Sequence, residues 1–153
     1  MTPMTVRLAQ PRDRMDLARM RALLWPEASI EEHASELDTA LDGRQGTLPM
    51  AIFVAETADR QMAGFLEAGL RSHADGCDPA QPVGYVEGWY VEEKWRNRGV
   101  GKALLAAAEK WARSQGCREM ASDTWIGNEA AQRAHEALGF EVVDRCVNYR
   151  KSL

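Results

Sequence analysis

The segment Arg96-Asn97-Arg98-Gly99-Val100-Gly101 stands between an extended stretch rich in aromatic and branched residues and a long stretch rich in Ala and Leu. A junction of this kind suits a phosphate cradle. Glycines let the backbone approach a pyrophosphate without Cβ clashes, and the first amide N–H groups of the helix that follows point outward with the positive end of its dipole. Arg96, Arg98 and Lys102 add mobile positive charge at the rim. Two other phosphate loops do not fit. A dinucleotide loop reads G-x-G-x-x-G, whereas Gly99-Val100-Gly101 is followed by Lys102, Ala103 and Leu104. A P-loop needs a hydroxyl after its lysine to hold magnesium, and here Ala103 follows Lys102.

The remaining reactive residue types exclude several alternatives. Cys77, Cys117 and Cys146 are widely separated and lack C-x-x-C spacing, and His33, His73 and His135 have no second histidine at helical spacing, so no metal is expected. A net charge of −4 argues against a nucleic-acid binder, which needs a broad basic footprint, and favours a cationic small-molecule partner. No apolar run approaches the roughly 20 residues that cross a bilayer. The opening MTPMTVRLAQ lacks the apolar core of a secretion signal, so the expected location is the cytoplasm, without a membrane partner. With 153 residues and 45% hydrophobic composition, one domain spanning 1–153 is expected.

The elements that must position these residues follow from periodicity. Thr5–Leu8 alternates like a strand, and Arg12–Leu24 carries Met15, Ala18 and Ala22 on one helical stripe until Trp25-Pro26. Ser29 and Glu32 form a capping-box signature ahead of Ile30, Ala34, Leu37 and Leu41, with a stop at Asp42-Gly43. Ala51–Glu56 and Met62–Leu70, divided by Asp59-Arg60, read as a hairpin. After the turn-rich loop SHADGCDPAQP, Val83–Val91 is a strand. Gly99–Gln115 is a helix with Leu104, Ala108, Trp111 and Ala112 on one stripe, stopped by Gly116. Glu119–Ser122 is a short strand, Asn128 caps a helix through Leu138, and Phe140–Lys151 is a final strand. The order β-α-α-β-β-β-α-β-α-β predicts an α/β (α+β) fold with a mixed central sheet flanked by helices.

In its letters and its strand-before, helix-after setting, Arg96-Asn97-Arg98-Gly99-Val100-Gly101 resembles the R-x-x-G-x-G motif of the GNAT acyltransferases. Asn128 and the later AHEALGF resemble that family's N…(A)…LGF segment, which flanks the pantetheine and thiol end of CoA. Together these cover roughly Val83 to Phe140, and the N-terminal β-α-α agrees with the GNAT fold. Within the superfamily, Leu24-Trp25-Pro26, Gly76-Cys77-Asp78, Val86-Glu87-Gly88, GCREMASDT and LGFEVVDR resemble aminoglycoside 6′-N-acetyltransferases. The resemblance implies transfer of acetyl from acetyl-CoA to the 6′-amine of an aminoglycoside, which inactivates the antibiotic. It implies CoA contacts from Tyr90, Val91, Arg96, Asn97, Arg98, Gly99, Val100, Gly101, Lys102, Asn128 and His135.

Aminoglycosides carry several positive charges, so their pocket needs carboxylates. In the family fold Glu87, Asp123 and Asp144 converge on the acceptor side, with Trp25 as a flat wall for a sugar ring. An ammonium has no lone pair, so a carboxylate must help remove its proton; Glu87 is the preferred base, with Asp123 sharing that role or holding the amine. The backbone N–H of Val91, where the strand splays at Tyr90-Val91, is the donor expected to meet the developing oxyanion. The tyrosine that many relatives place in the later helix to protonate the CoA thiolate is absent. Its neighbourhood reads Ala134-His135-Glu136-Ala137, where His135 either donates a proton, contacts CoA or packs. Three readings stay open: aminoglycoside acetylation, acetylation of another amine (polyamine, peptide or metabolite), and CoA binding without turnover. A homodimer joined through Phe140–Tyr149 is also compatible with the pattern.

Overall fold

The computed structural model describes residues 4–45 and 48–153; Met1–Pro3, part of the opening read for a leader, lie outside the described residues. Strand β1 (Met4–Leu8) turns through Pro11–Asp13 into helix α1 (Arg14–Leu24). Helix α2 (Ile30–Ala40) starts at the predicted capping box: the Ser29 hydroxyl accepts from the Glu32 amide, and the Glu32 carboxylate accepts from the Ser29 amide. A short β2 (Arg44–Gln45) and the hairpin β3 (Leu48–Thr57) and β4 (Met62–Arg71) follow, then β5 (Val83–Val91). Helix α3 (Val100–Ser114), β6 (Met120–Ser122) and α4 (Glu129–Ala137) complete the regular elements.

The sheet runs β1-β3-β4-β5-β6, with β2 paired to β3. Pairings are antiparallel except β5 with β6, which is parallel, so the sheet is mixed as the element order predicts. The central strands read as near-continuous apolar runs because both of their faces are covered. Ile52, Val54 and Phe65 meet Leu17, Met20 and Leu37 of α1 and α2; Phe53, Ala55 and Leu66 face Leu104, Leu105 and Ala108 of α3. Phe65, Leu66, Leu17 and Leu104 have no exposed surface, and each such side chain contributes about 1.5–3 kcal/mol of burial free energy.

Two expectations are corrected. Met15 is exposed and Ala22 only half-buried, whereas Ala18 is buried as expected, together with Leu17, Met20 and Arg21. On that face Leu17 and Met20 enter the core, and Arg21 turns inward to form a bidentate pair with buried Glu67 of β4, at 2.5 and 2.9 Å, which fastens α1 to the sheet. The final strand expected over Phe140–Lys151 is not formed: these residues carry no ladder, and Val142, Val143, Val147 and Tyr149 are exposed. Alternating apolar residues favour extended backbone, but a strand exists only against a neighbouring edge.

Candidate active site

The site lies where β5 and β6 part. Their parallel pairing covers Gly84–Met120, Tyr85–Ala121 and Val86–Ser122 and then ends, so the fork opens just before Glu87, earlier than the splay expected at Tyr90-Val91. On the other side of β5, the register with β4 shifts between Glu67 and Ala68, which pair with Gly88 and Val86. Glu87 is therefore the extra residue of a bulge. A bulge bends its strand and re-aims a side chain, which is how a half-buried carboxylate comes to stand at the mouth of the fork.

Asp123 follows the last residue of β6 and stands on the opposite lip. The Tyr85 hydroxyl donates to its carboxylate at 3.0 Å, bridging β5 and β6 just behind Glu87. Burial, reinforced by this hydrogen bond, pushes the Tyr85 hydroxyl up to about 12, so it remains a donor throughout the neutral range. Arg71, the last residue of β4, grips Glu87 through both carboxylate oxygens, at 3.1 and 2.9 Å, and lies on the Tyr85 ring with Cζ 3.4 Å from its centroid. One hydrogen-bonded and stacked group thus joins Glu87, Arg71, Tyr85 and Asp123.

Trp25 closes the wall beside Glu87. It caps the C-terminal end of α1, lies edge-on to Phe65 and has Arg21 5.4 Å above its ring. Gly88 is needed here, because a Cβ at that position would collide with the Trp25 ring. Asp144 is placed differently from the other acidic candidates. It is exposed in the C-terminal segment, which joins no strand ladder, and accepts from the amide of Arg145.

At the other end of the fork, Gly99 caps α3 with φ +82°, a left-handed backbone that disfavours any side chain, and its Cβ direction faces open space. No side chain caps this helix, so its first amides, including those of Val100, Gly101 and Lys102, keep the free donors that a helix N-terminus offers. Asn97 is also left-handed, at φ 59°. Arg96 folds back to donate to the Val91 carbonyl at 2.8 Å, and Arg98 lies over Trp95. Free amides, an open glycine face and three rim cations fit the pyrophosphate of CoA.

Between cradle and carboxylates stand His135 and Trp89. His135 Nδ1 lies 2.7 Å from the Ala131 carbonyl, which only accepts, so Nδ1 carries a proton. Its Nε2 lies 2.7 Å from the Ser122 hydroxyl, which donates to it when the ring is neutral. Trp89 packs edge-on to His135 and lies on the side of Gly101 where a Cβ would meet its ring, linking the fork to the cradle. Asn128 caps α4 by accepting from the Ala131 amide.

Sequence reasoning missed Arg71, Tyr85, Ser122 and Trp89. Ser122 was within reach, since it precedes Asp123 in GCREMASDT; Arg71 was not, because nothing local says that the end of β4 reaches Glu87 on the neighbouring strand.

A mixed sheet forked beside an amide cradle matches a known family. The model of the acetyltransferase (GNAT) family fits residues 17–140, and the chain belongs to that family. Among its relatives, the aminoglycoside N(6′)-acetyltransferase type 1 of Stenotrophomonas maltophilia is 42% identical over 149 residues, 97% of this chain and 94% of that protein. The enzyme of the same name from Klebsiella aerogenes is 40% identical over 97% of this chain and 96% of its own length. The structure of AAC(6′)-Iy in complex with the bisubstrate analogue CoA-S-monomethyl-acetylneamine superposes with a TM-score of 0.88 at 36% identity, covering 99% of this chain and 100% of that one.

Proposed function

We propose that this protein transfers the acetyl group of acetyl-CoA to the 6′-amine of aminoglycoside antibiotics, giving resistance to them. The observation that carries this reading is that Glu87 and Asp123 each follow the last paired residues of β5 and β6, Val86 and Ser122, and that the group they form with Tyr85 and Arg71 shares the fold with an uncapped α3 N-terminus. Relatives at 40–42% identity over nearly the whole chain, which bear that enzymatic name, support it.

In this reading the amides of Val100, Gly101 and Lys102, with Arg96, Asn97 and Arg98 at the rim, hold the CoA pyrophosphate, and Tyr90, Val91, Asn128 and His135 border its pantetheine arm. Glu87 takes a proton from the substrate ammonium, directly or through water, to expose the lone pair that attacks the thioester. Asp123, oriented by Tyr85, holds a neighbouring ammonium, and Trp25 lies along the sugar face. The Val91 N–H meets the negative oxygen as the carbonyl is attacked. The departing sulfur takes its proton from solvent or from the Ser122–His135 pair. None of these steps requires a metal. Asp144 joins the acceptor site only if the C-terminal segment folds toward it.

Among the described residues no helix is long and apolar enough to cross a membrane, and supply of acetyl-CoA argues for work in the cytoplasm. The unpaired 140–149 segment, with exposed Val142, Val143, Val147 and Tyr149, supports a homodimer in which a second copy supplies the missing strand partner.

The test is acetylation by purified protein of an aminoglycoside panel against spermidine and peptide amines, with the product position mapped. Acetylation at the 6′-nitrogen, with little turnover of the other amines, is expected. Preferred turnover of another amine class supports the rival acceptor, and tight CoA binding without thiol release across the panel supports a non-catalytic domain.

A further inference from the structure

We propose that Arg71 is a built-in counter-ion that occupies the ammonium position beside Glu87, so that an amine binds by ion exchange. This rests on the reading of Glu87 as an acceptor-side carboxylate. Three observations carry it. Both Glu87 oxygens are engaged by the guanidinium, which leaves an incoming ammonium to compete for them. The pair is open to solvent, the Arg71 side chain 44% exposed against 23% for Glu87, so an amine can reach it from outside. It also lies flat on Tyr85, whose hydroxyl donates to Asp123, so the cation that pairs with Glu87 reaches the second carboxylate assigned to the substrate only through the Tyr85 ring.

A pocket lined by two carboxylates is destabilised when empty, because like charges repel and water must screen them. A resident guanidinium offsets that repulsion and holds the Glu87 carboxylate at two points between turnovers. Its hold is modest. Among the described residues, the side-chain hydrogen bonds of Arg71 are to Glu87 alone, and Arg71 ends β4 next to exposed Ser72 and His73, which leaves its long stem room to swing outward. A partly exposed ion pair with one stacking contact is the kind of interaction that a multiply charged substrate outcompetes. No covalent step is involved: one cation leaves the carboxylate and another takes its place.

The experiment compares wild type, Arg71→Gln, Arg71→Lys and Glu87→Gln, each checked for folding by thermal melting. Kanamycin binding to the CoA-loaded enzyme is measured by titration calorimetry at low and high salt, beside steady-state kinetics. Removing the resident cation is expected to tighten kanamycin binding by roughly threefold to tenfold and to lower KM in step. Arg71→Lys, which keeps the charge but not the two-point grip, is expected to fall between. Weaker or unchanged kanamycin binding in Arg71→Gln overturns the proposal, as does a fall in kcat at constant Kd, which marks Arg71 as a positioning residue. If Arg71→Gln does not fold, the Arg71→Lys comparison decides alone: tighter binding supports the proposal, and equal or weaker binding overturns it. Glu87→Gln separates the two levels. Normal binding and turnover there removes the underlying reading of the pocket; loss there, with Arg71→Gln unchanged, removes only the counter-ion.

Discussion

Replacing Gly88 with alanine tests how Trp25 is held against the acceptor site. The added methyl has no strained backbone to contend with, so its whole effect is steric. A Cβ there collides with one ring carbon of Trp25, lies 2.8 Å from Cζ2 and stands 3.5 Å from Leu24 Cδ2. The ring cannot simply yield, being packed against Phe65 and beneath Arg21, so ring and strand must separate. Overpacking of this kind costs about 1–3 kcal/mol. In a chain of this size that lowers Tm by on the order of 2–4 °C per kcal/mol. Because Gly88 follows Glu87, the KM for the aminoglycoside should rise while that for acetyl-CoA holds. The assay is a double-mutant cycle of Gly88→Ala and Trp25→Ala, read by urea unfolding and by KM. Removing the indole removes the collision, so the cycle should show a coupling of about 1–3 kcal/mol. Wild-type stability and KM in Gly88→Ala, or effects additive within about 0.5 kcal/mol, would refute the packing argument.

Further outcomes follow from the same geometry. Gly99→Ala forces a side chain into left-handed backbone and should cost roughly 1–2 kcal/mol, with weaker CoA binding by calorimetry and unchanged aminoglycoside contacts. Tyr85→Phe removes the hydroxyl that orients Asp123 and should raise aminoglycoside KM severalfold, by about 1 kcal/mol, without shifting acetyl-CoA KM. At the opposite edge of the sheet, burial pushes the Asp13 carboxyl up, but hydrogen bonds from Arg7 and the Gln10 amide outweigh it and hold Asp13 below its usual 3.8; Arg7 likewise holds Glu56 below 4.5. Folded values below unfolded ones mean that this stabilisation is present above about pH 4.5 and is lost as pH falls through the depressed folded values. Arg7→Met should therefore flatten the dependence of urea stability on pH in that acid window.

The parts of the fold legible in the sequence were those with local causes. Ser29 and Glu32 cap α2 because a hydroxyl and a carboxylate three residues apart satisfy each other's amides, wherever the helix later packs. Gly99 and Asn128 mark helix starts for equally local reasons. Glu87 was legible as a residue type and by resemblance, but its exposure at the fork depends on a bulge set by pairing with β4. Arg71 reaches Glu87 only through that pairing, and Arg21 turns inward only because Glu67 waits on another element. Phe140–Lys151 shows the converse: its alternation specifies extended backbone, while the partner that makes a strand is not written in the segment itself.

The most direct measurement is the steady-state kinetics of Glu87→Gln and Asp123→Asn, which keep shape and remove charge, beside CoA affinity measured by calorimetry. Each variant should lose at least roughly tenfold in kcat/KM for the aminoglycoside, about 1.4 kcal/mol, while CoA binds as tightly as before. Wild-type acetylation by both variants, with CoA binding intact, would contradict the assignment of the acceptor site to the fork between β5 and β6.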